Sequence, residues 1–440
     1  MWGFKFSQYA EFLNKNERNK VYLRKNGSEG RQLADSKLKT KRVLDKAGVG
    51  VPKLIKRFRN TEDIDNFKWE DLEGNFVIKP VTGYGGEGIV VIKKRGKWAG
   101  EWLKMDGETL TTTDLKMHCR EILGGKYSLH GMSDMVLLEE RIKIHPLFYA
   151  LTKSGTPDIR VIIYNKVPVM AMFRVPTEKS KGKANLQQGA IGLGIDLATG
   201  ITTFGIEGKG EELKRIYDFN KKKRIKVNGI KIPFWREILE TSIKCQEAIP
   251  SLGFMGVDVV LDKEKGPMVL EVNARPGLSI QICNKAGLKK RMNQIADIEV
   301  RSVNHAITLA KYLFGESFFE KVEEKEKMKV LKPLETVKIK YGKGKKERVE
   351  VLAKVDTGAF RSSIDRDLAM KYDLLREDRV IYYRHYRNSM GSGVRRPVIE
   401  LTFWIQGKKI TSAINVADRK KMRAKFLVGR RDLHDFMVKT

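Results

Sequence analysis

Residues 266–278 read GPMVLEVNARPGL, with Glu271, Asn273 and Arg275 at every second position. An extended strand puts alternate residues on one face, so all three are expected to point the same way. The preceding run, FMGVDVVLDKEK at 254–265, carries Asp258 in an apolar strand, and the two runs read as a hairpin turning at Lys263–Gly266. Two carboxylates and an amide oxygen make a hard-oxygen donor set, of the kind Mg²⁺ shares with nucleotide phosphates. A solvated sheet face would show the same alternation. Here, though, the flanking residues are Val, Leu and Met, among which a partnerless aspartate would be costly to bury. The spacing therefore points to Asp258, Glu271 and Asn273 as metal ligands.

Upstream, residues 76–94 read FVIKPVTGYGGEGIVVIKK. Glycines at 83, 85, 86 and 88 lie between two β-branched runs, and Lys79 ends the first run. Glycines let backbone N–H groups approach phosphate oxygens, and a lysine on the preceding strand adds a point charge. A glycine-rich hairpin without a ligand would look the same, and this segment alone leaves both readings open.

The rest of this part of the chain supplies a frame. Residues 1–60 read as largely helical, with Leu38, Val43, Leu44 and Ala47 at helical spacing and Gly48 and Pro52 as stop signals. Strand-like runs are expected at 76–80 and 89–93. MVLLEERI (135–142) reads as a buried strand running into a loop, and DIRVIIYNKVPVMAMFRV (158–175) as a hairpin turning at Asn165–Lys166. Residues 180–200 are Gly-rich and read as a loop. IPFWREILETSIKCQEAI (232–249) is an amphipathic helix, and a helix near 295–314 closes the unit.

The 440 residues suggest two or three domains, and 41% apolar content a globular chain. No stretch approaches the ~18 apolar residues of a membrane span, and the first residues lack the pattern of a secretory signal. Cys119, Cys245 and Cys283 are odd in number and far apart, which fits a reducing cytosol and neither a disulfide framework nor a zinc site. A cytoplasmic location is expected. The net charge of +32 is either a solvated surface or a sign of an acidic partner, such as nucleotide, acidic peptide or RNA. No nucleic-acid-reading motif accompanies it. FFEKVEEKEKMKVLKP (318–333) reads as a charged linker, and residues 331–440 hold 27 basic and 13 acidic side chains. The expected organisation is a helical region at 1–60, a main domain at 61–317, the linker at 318–333 and a strand-rich module at 334–440.

SKLKTKRVL with Lys37, VIKPVTGYGGEGI, LLEERI, DIR with Arg160, GVDVVL and LEVNARPG, in this order over about residues 30–310, resemble the ATP-grasp carboxylate–amine ligases. GKANLQQGAIGLGIDLATG (182–200) is similar to the alpha-L-glutamate ligase-related branch, with Asn185 retained and Gln187 where that branch carries histidine. The resemblance implies an α+β ATP-grasp fold and an ATP- and Mg²⁺-dependent ligase using two ions. It implies that Lys37 and Lys79 contact the α- and β-phosphates. The loop with Gly83, Gly85, Gly86 and Gly88 would fold over the β- and γ-phosphates. Glu139 and the backbone near Arg141 and Ile142 would hold adenine. Arg160 and Arg174 would stabilise the transferring phosphoryl group, and Asp258, Glu271 and Asn273 would hold the metal. Arg275 is the candidate for gripping a substrate carboxylate or the acyl phosphate. The substrates implied are an amino-acid donor, glutamate among the candidates, and a peptide or amine acceptor. Only about 35 residues precede Lys37, so the resemblance leads us to expect the amino-terminal α/β domain of relatives in reduced form or missing. A nucleotide-responsive binding protein for an acidic or nucleic-acid partner, without ligase turnover, is the second reading.

VLAKVDTGAFRSSID (351–365) places Asp-Thr-Gly after an apolar strand, and FLVGRRDL (426–433) offers an apolar-apolar-Gly segment. Together they resemble a family described as ATP-dependent zinc proteases, small retropepsin-like all-β barrels. An ordinary turn would use the same three residues. An aspartic mechanism needs two carboxylates sharing a proton, and the chain has one such Asp-Thr-Gly. Asp356 would therefore act across a homodimer or with an unconventional partner. Asp365 stands where the family has histidine, which weakens a zinc role. Arg395 and Arg396 suit an acidic peptide. Peptidase, binding module and structural remnant all remain open.

Overall fold

The computed structural model describes residues 10–83, 86–128, 131–149, 151–152, 155–208, 212–219, 225–315, 329–342, 347–387, 393–433 and 436–438. The chain divides into two compact units, Met1–Ala310 and Lys311–Thr440.

In the first unit, the helix Lys37–Lys46 starts at Ser36, whose hydroxyl accepts the Lys39 N–H at 3.4 Å. It ends before Gly48, which takes a left-handed φ of 71°. Its buried face carries Leu38, Lys41 and Leu44.

The first sheet comprises β1 (Leu54–Phe58), β2 (Phe76–Pro80), β3 (Val90–Arg95), β4 (Glu101–Lys104), β5 (Thr109–Thr111) and β6 (Val136–Glu140). Their order is β1-β6-β2-β3-β4-β5. Phe58, Trp69, Phe76, Ile92 and Trp102 pack with Leu115 and Ile122 of the helix Thr112–Leu123 beneath it. Thr111 and Asp114 close a reciprocal capping box at the start of that helix.

The second sheet comprises β7 (Asp158–Tyr164), β8 (Val167–Val175), β9 (Ile191–Ile195), β10 (Thr202–Glu207), β11 (Lys214–Ile216), β12 (Phe254–Asp262) and β13 (Gly266–Asn273). The order is β11-β10-β9-β8-β7-β12-β13. Asn165 and Lys166 both take positive φ, 48° and 61°, as a two-residue β7–β8 hairpin requires. Every residue of β7, β8 and β12 is buried, because helices cover the sheet. Helix Trp235–Ala248 packs on β7, β8, β12 and β13, and helix Ile280–Asn284 on β8 to β10. At Gly194 a Cβ would lie 2.2 Å from the Cys283 carbonyl oxygen, so this close approach requires glycine.

The second unit comprises β14 (Lys329–Leu331), β15 (Leu334–Lys340), β16 (Arg348–Asp356), β17 (Ser363–Asp365), β18 (Val380–Arg387), β19 (Gly393–Ile405), β20 (Lys408–Ala417), β21 (Phe426–Gly429) and β22 (Phe436–Val438). The pairing runs β15-β16-β21-β17-β20-β19 and closes from β19 back to β15, forming a barrel with β18 attached to β19. Along β16, Val351, Ala353 and Val355 are buried while their neighbours face out. They meet Val337, Phe403, Ile414, Phe426 and Val428 in one core.

Four sequence expectations need correction. Residues 1–60 include the strand β1. The Gly-rich stretch 180–200 contains β9, whose glycines at 192 and 194 make room for Leu186 and the 280–284 helix rather than for loop mobility. The helix expected near 295–314 is two helices, Leu288–Ile295 and Val303–Phe314. Strand β13 ends at Asn273, so Arg275 lies beyond the sheet and does not share its metal-facing row. Proline at 276, which lacks an N–H, suits that exit. Of the expected linker, residues 318–328 lie outside the described residues.

Candidate active site

Charged side chains of the first unit gather in two groups. The first lies on β2, β6 and the helix Lys37–Lys46. Glu139, 2% exposed, receives Lys41 Nζ at 2.5 Å on Oε1 and Lys79 Nζ at 2.8 Å on Oε2. Burial raises the Glu139 carboxyl, but Lys79 and Lys41 outweigh it and hold the group below its usual range. Lys41 also donates to the Pro52 carbonyl at 2.8 Å. Burial and the Lys79 charge depress the Lys41 ammonium to about 8 against the pull of Glu139. Lys37, one turn earlier, donates to Gly83 O at 2.8 Å and Val81 O at 3.4 Å, anchoring the start of the glycine loop.

The second group lies on β7, β8, β12 and β13. Asp158 pairs with Arg174, Asp258 with Arg160, and Asp258 with Glu271 in the strand register. Arg160 donates to Asp258 through Nε at 2.6 Å and Nη2 at 2.5 Å. Arg174 grips Asp158 at 2.5 and 2.6 Å, and its Nη2 also stands 2.8 Å from Asp258 Oδ2. All four side chains are buried. The two guanidiniums outweigh burial and hold the Asp258 carboxyl well below the usual carboxylate range. Isolated charges here would cost several kcal/mol each, and the alternation of sign along the row offsets that cost.

Glu271 and Asn273 are half-buried at the edge of this row. Asn273 Nδ2 donates to Asp258 Oδ2 at 3.3 Å. Glu271 enters no hydrogen bond or ion pair with a described residue. It lines a cavity shared with Lys37, Thr40 and Lys41, and its charge acts directly on Lys37. The two groups thus meet at Lys37. No group of three or more His, Cys, Asp or Glu gathers among the described residues, so a metal site here would need the Asn273 amide oxygen as third donor. A half-buried carboxylate without a hydrogen bond or ion pair among the described residues, an amide oxygen and a second carboxylate, whose oxygens already accept from Arg160 and Arg174, are the hard-oxygen donors a divalent cation would use here.

The remaining candidates sit as follows. Gly83, Gly86 and Gly88 belong to the described loop, while Gly85 lies outside the described residues. His118 Nε2 is 3.0 Å from Gly88 O, and a Cβ at Gly88 would strike Tyr127 at 2.7 Å. Lys183 Nζ is 3.7 Å from Glu87, so the segment after β8 reaches this loop. The Arg141 N–H donates to Asn75 O at 2.7 Å and its side chain to Asn75 Oδ1 at 2.8 Å. Ile142 packs with Val260, Met268 and Leu270. Asn185 caps the turn at 186–188 by accepting the Gln187 N–H at 3.0 Å. Arg275 is exposed and reaches Asp35 at 3.4 Å.

Sequence reasoning missed Lys41 and Asp158. Lys41 is four residues after Lys37, hence on the same helix face. Asp158 is two residues before Arg160, hence on the same strand face. Both signals were present.

In the barrel, Asp356 Oδ1 accepts the Gly358 and Ala359 N–H groups at 3.0 and 3.2 Å. Gly429 is its register partner on β21. A Cβ at Gly429 would lie 2.5 Å from the Arg361 carbonyl carbon, so the Asp-Thr-Gly loop rests directly on this backbone. The Ser362 hydroxyl donates to Asp432 and accepts the Gly429 N–H at 3.0 Å. Asp365 is buried, caps the helix Arg366–Lys371 and accepts the Arg419 N–H at 2.8 Å. Its carboxylate is thus occupied by backbone, not set as a metal ligand.

Charged side chains thus gather on β2 and β6 of the first sheet and on β7, β8 and β12 of the second. Residues 16–297 match the family described as sugar-transfer associated ATP-grasp, and the chain belongs to that family. No functionally curated protein matches it. Among solved structures it is similar to D-alanine–D-alanine ligase from Bacillus anthracis, at 14% identity over 65% of this chain and 71% of the other, with a TM-score of 0.35. A Legionella pneumophila protein of unknown function matches at 17% identity over 25% of this chain and 92% of the other, TM-score 0.17. The simian foamy virus protease matches at 18% over 23% and 90%, TM-score 0.17.

Proposed function

We propose that the chain is an ATP- and Mg²⁺-dependent carboxylate–amine ligase that forms an amide bond through an acyl phosphate. In this reading residues 61–317 are the ligase domain, fed by Lys37 from the 1–60 region. The donor is an amino acid, with glutamate the first candidate, and the acceptor a peptide or amine. The observation that carries the proposal is the buried Asp158–Arg174–Asp258–Arg160 row beside Glu271, which makes no hydrogen bond or ion pair among the described residues.

The chemistry assigns work to these residues. A carboxylate oxygen of the donor attacks the γ-phosphorus, and the bond to the β–γ bridging oxygen breaks as ADP leaves. The acceptor nitrogen then attacks the acyl carbon, the carbon–oxygen bond to phosphate breaks, and the nitrogen gives up a proton. Asp258, Glu271 and Asn273 would hold Mg²⁺, which would neutralise phosphate charge. Arg160 and Arg174 keep further N–H donors beyond those spent on the aspartates, and these would bind the phosphoryl oxygens. Lys37 and Lys79 would hold the α- and β-phosphates. The glycine loop, tied to Lys37 and His118 at its two ends, would exclude water. The test is ADP and phosphate release by the purified chain with ATP, Mg²⁺ and pooled amino acids and amines. Amine-dependent release supports the ligase. ATP binding with no release, across all acceptors, supports instead a nucleotide-responsive binding protein.

For residues 334–440 we infer a retropepsin-like module. Its support is the Asp356 carboxylate held by its own loop over Gly429. Cleavage by this module would require a second carboxylate, supplied by another copy of the chain. Absence of cleavage by concentrated protein, with peptide binding retained, would make it a binding module.

A further inference from the structure

The nucleotide reading gives work to Lys37 and Lys79 and none to Lys41 or its partner Glu139. Yet Lys41 is buried at the centre of this group. Its ammonium stands 2.5 Å from Glu139 Oε1 and donates to the Pro52 carbonyl at 2.8 Å, just before β1. The cavity it lines with Lys37 and Glu271 encloses about 10 Å³, room for a water and not for a phosphate. Lys41 is therefore pinned from two sides and is no phosphate ligand itself.

Lys79 is placed differently. In the β2–β6 ladder Lys79 is opposite Leu137 and Glu139 is opposite Val77, so alternation puts Lys79 and Glu139 on one sheet face as diagonal neighbours. The Lys79 ammonium reaches Glu139 Oε2 at 2.8 Å and no other acceptor among the described residues. An ammonium carries three N–H donors, so two are left over. Glu139 is 2% exposed and has an ammonium on each oxygen. Two buried cations thus meet one carboxylate.

We propose that Lys41 is a positioning residue for nucleotide binding: it occupies one oxygen of Glu139, so that Lys79 is held by the other oxygen alone and turns its remaining donors to the phosphates. This rests on the nucleotide-binding part of the ligase reading. A buried carboxylate with a single cationic partner turns its whole charge on that partner, because nothing else offsets it. Without Lys41, Glu139 would close on Lys79 with both oxygens and draw the ammonium away from the nucleotide. In this role Glu139 acts on the phosphate side of the site, through Lys79, and not on adenine.

The test titrates the full chain with ATP and Mg²⁺ by calorimetry, and with adenosine by displacement of ATP. The proteins compared are the native chain, Lys41→Met, Glu139→Gln and the double variant. In Lys41→Met the ATP affinity is expected to fall on the order of tenfold, the worth of one charge-assisted hydrogen bond, with adenosine affinity unchanged. In the Glu139→Gln background the same Lys41→Met change is expected to cost nothing, because the carboxylate it restrains is gone. That second comparison stands even where a singly paired, buried Glu139 keeps Lys41→Met from folding. Native ATP affinity in Lys41→Met, equal losses for ATP and adenosine, or the same loss repeated in the Glu139→Gln background overturns the proposal. No ATP binding by the native chain removes the nucleotide reading and this proposal with it. Native ATP binding that Lys41→Met leaves unaltered removes this proposal alone.

Discussion

Asp258 stands directly opposite Glu271 in the β12–β13 ladder, and the register slips just beyond this pair. A bulge at that point re-aims the following residues, so the two carboxylates share the edge of the charged row while the strand beyond returns to core packing. One is neutralised by two arginines; the other has no described partner. Their substitutions should therefore behave differently.

Glu271→Gln should leave the melting temperature unchanged, since no described contact is lost. It should weaken Mg·ATP binding and lower amine-dependent ADP release on the order of 100-fold. Native turnover in this variant, measured by coupled ADP release, would remove the metal assignment.

Asp258→Asn strips the counter-charge from Arg160 and weakens that of Arg174, both buried. Loss of a buried partner costs about 3–5 kcal/mol. Denaturant unfolding should show this loss with or without nucleotide.

Lys41 has a folded pKa of about 8, below its ordinary 10.5. Between these values the unfolded chain binds more protons than the folded one, so this group's contribution to stability rises with pH there. The gain reaches up to about 3 kcal/mol. Lys41→Met should flatten the stability curve over pH 8 to 10.5. An unchanged slope would show that Lys41 titrates normally.

Asp356→Asn should leave ligation intact and abolish any peptide cleavage by the barrel. Cleavage at the native rate, followed by mass analysis of peptide products, would exclude an aspartyl role.

Gly429→Ala forces a methyl group against the Arg361 backbone. Overpacking of this kind costs about 1–3 kcal/mol. A lowered barrel unfolding transition, with ATP binding unchanged, is expected.

Local patterns in the sequence were enough to mark the Asn165–Lys166 turn, the β12–β13 hairpin, the helix at 235–248 and the alternation of Glu271 and Asn273 along β13. Period-two and period-3.6 spacing, glycine and proline report backbone geometry that neighbouring residues settle among themselves. The strand β9 escaped because its glycines serve a helix about ninety residues further on, and no local rule carries that contact. The two arginines closing on Asp258, the pairing of Lys41 and Lys79 on one glutamate, and the return of β19 to β15 were likewise decided only in three dimensions. Each depends on which strands lie side by side, and burial then compels opposite charges to meet.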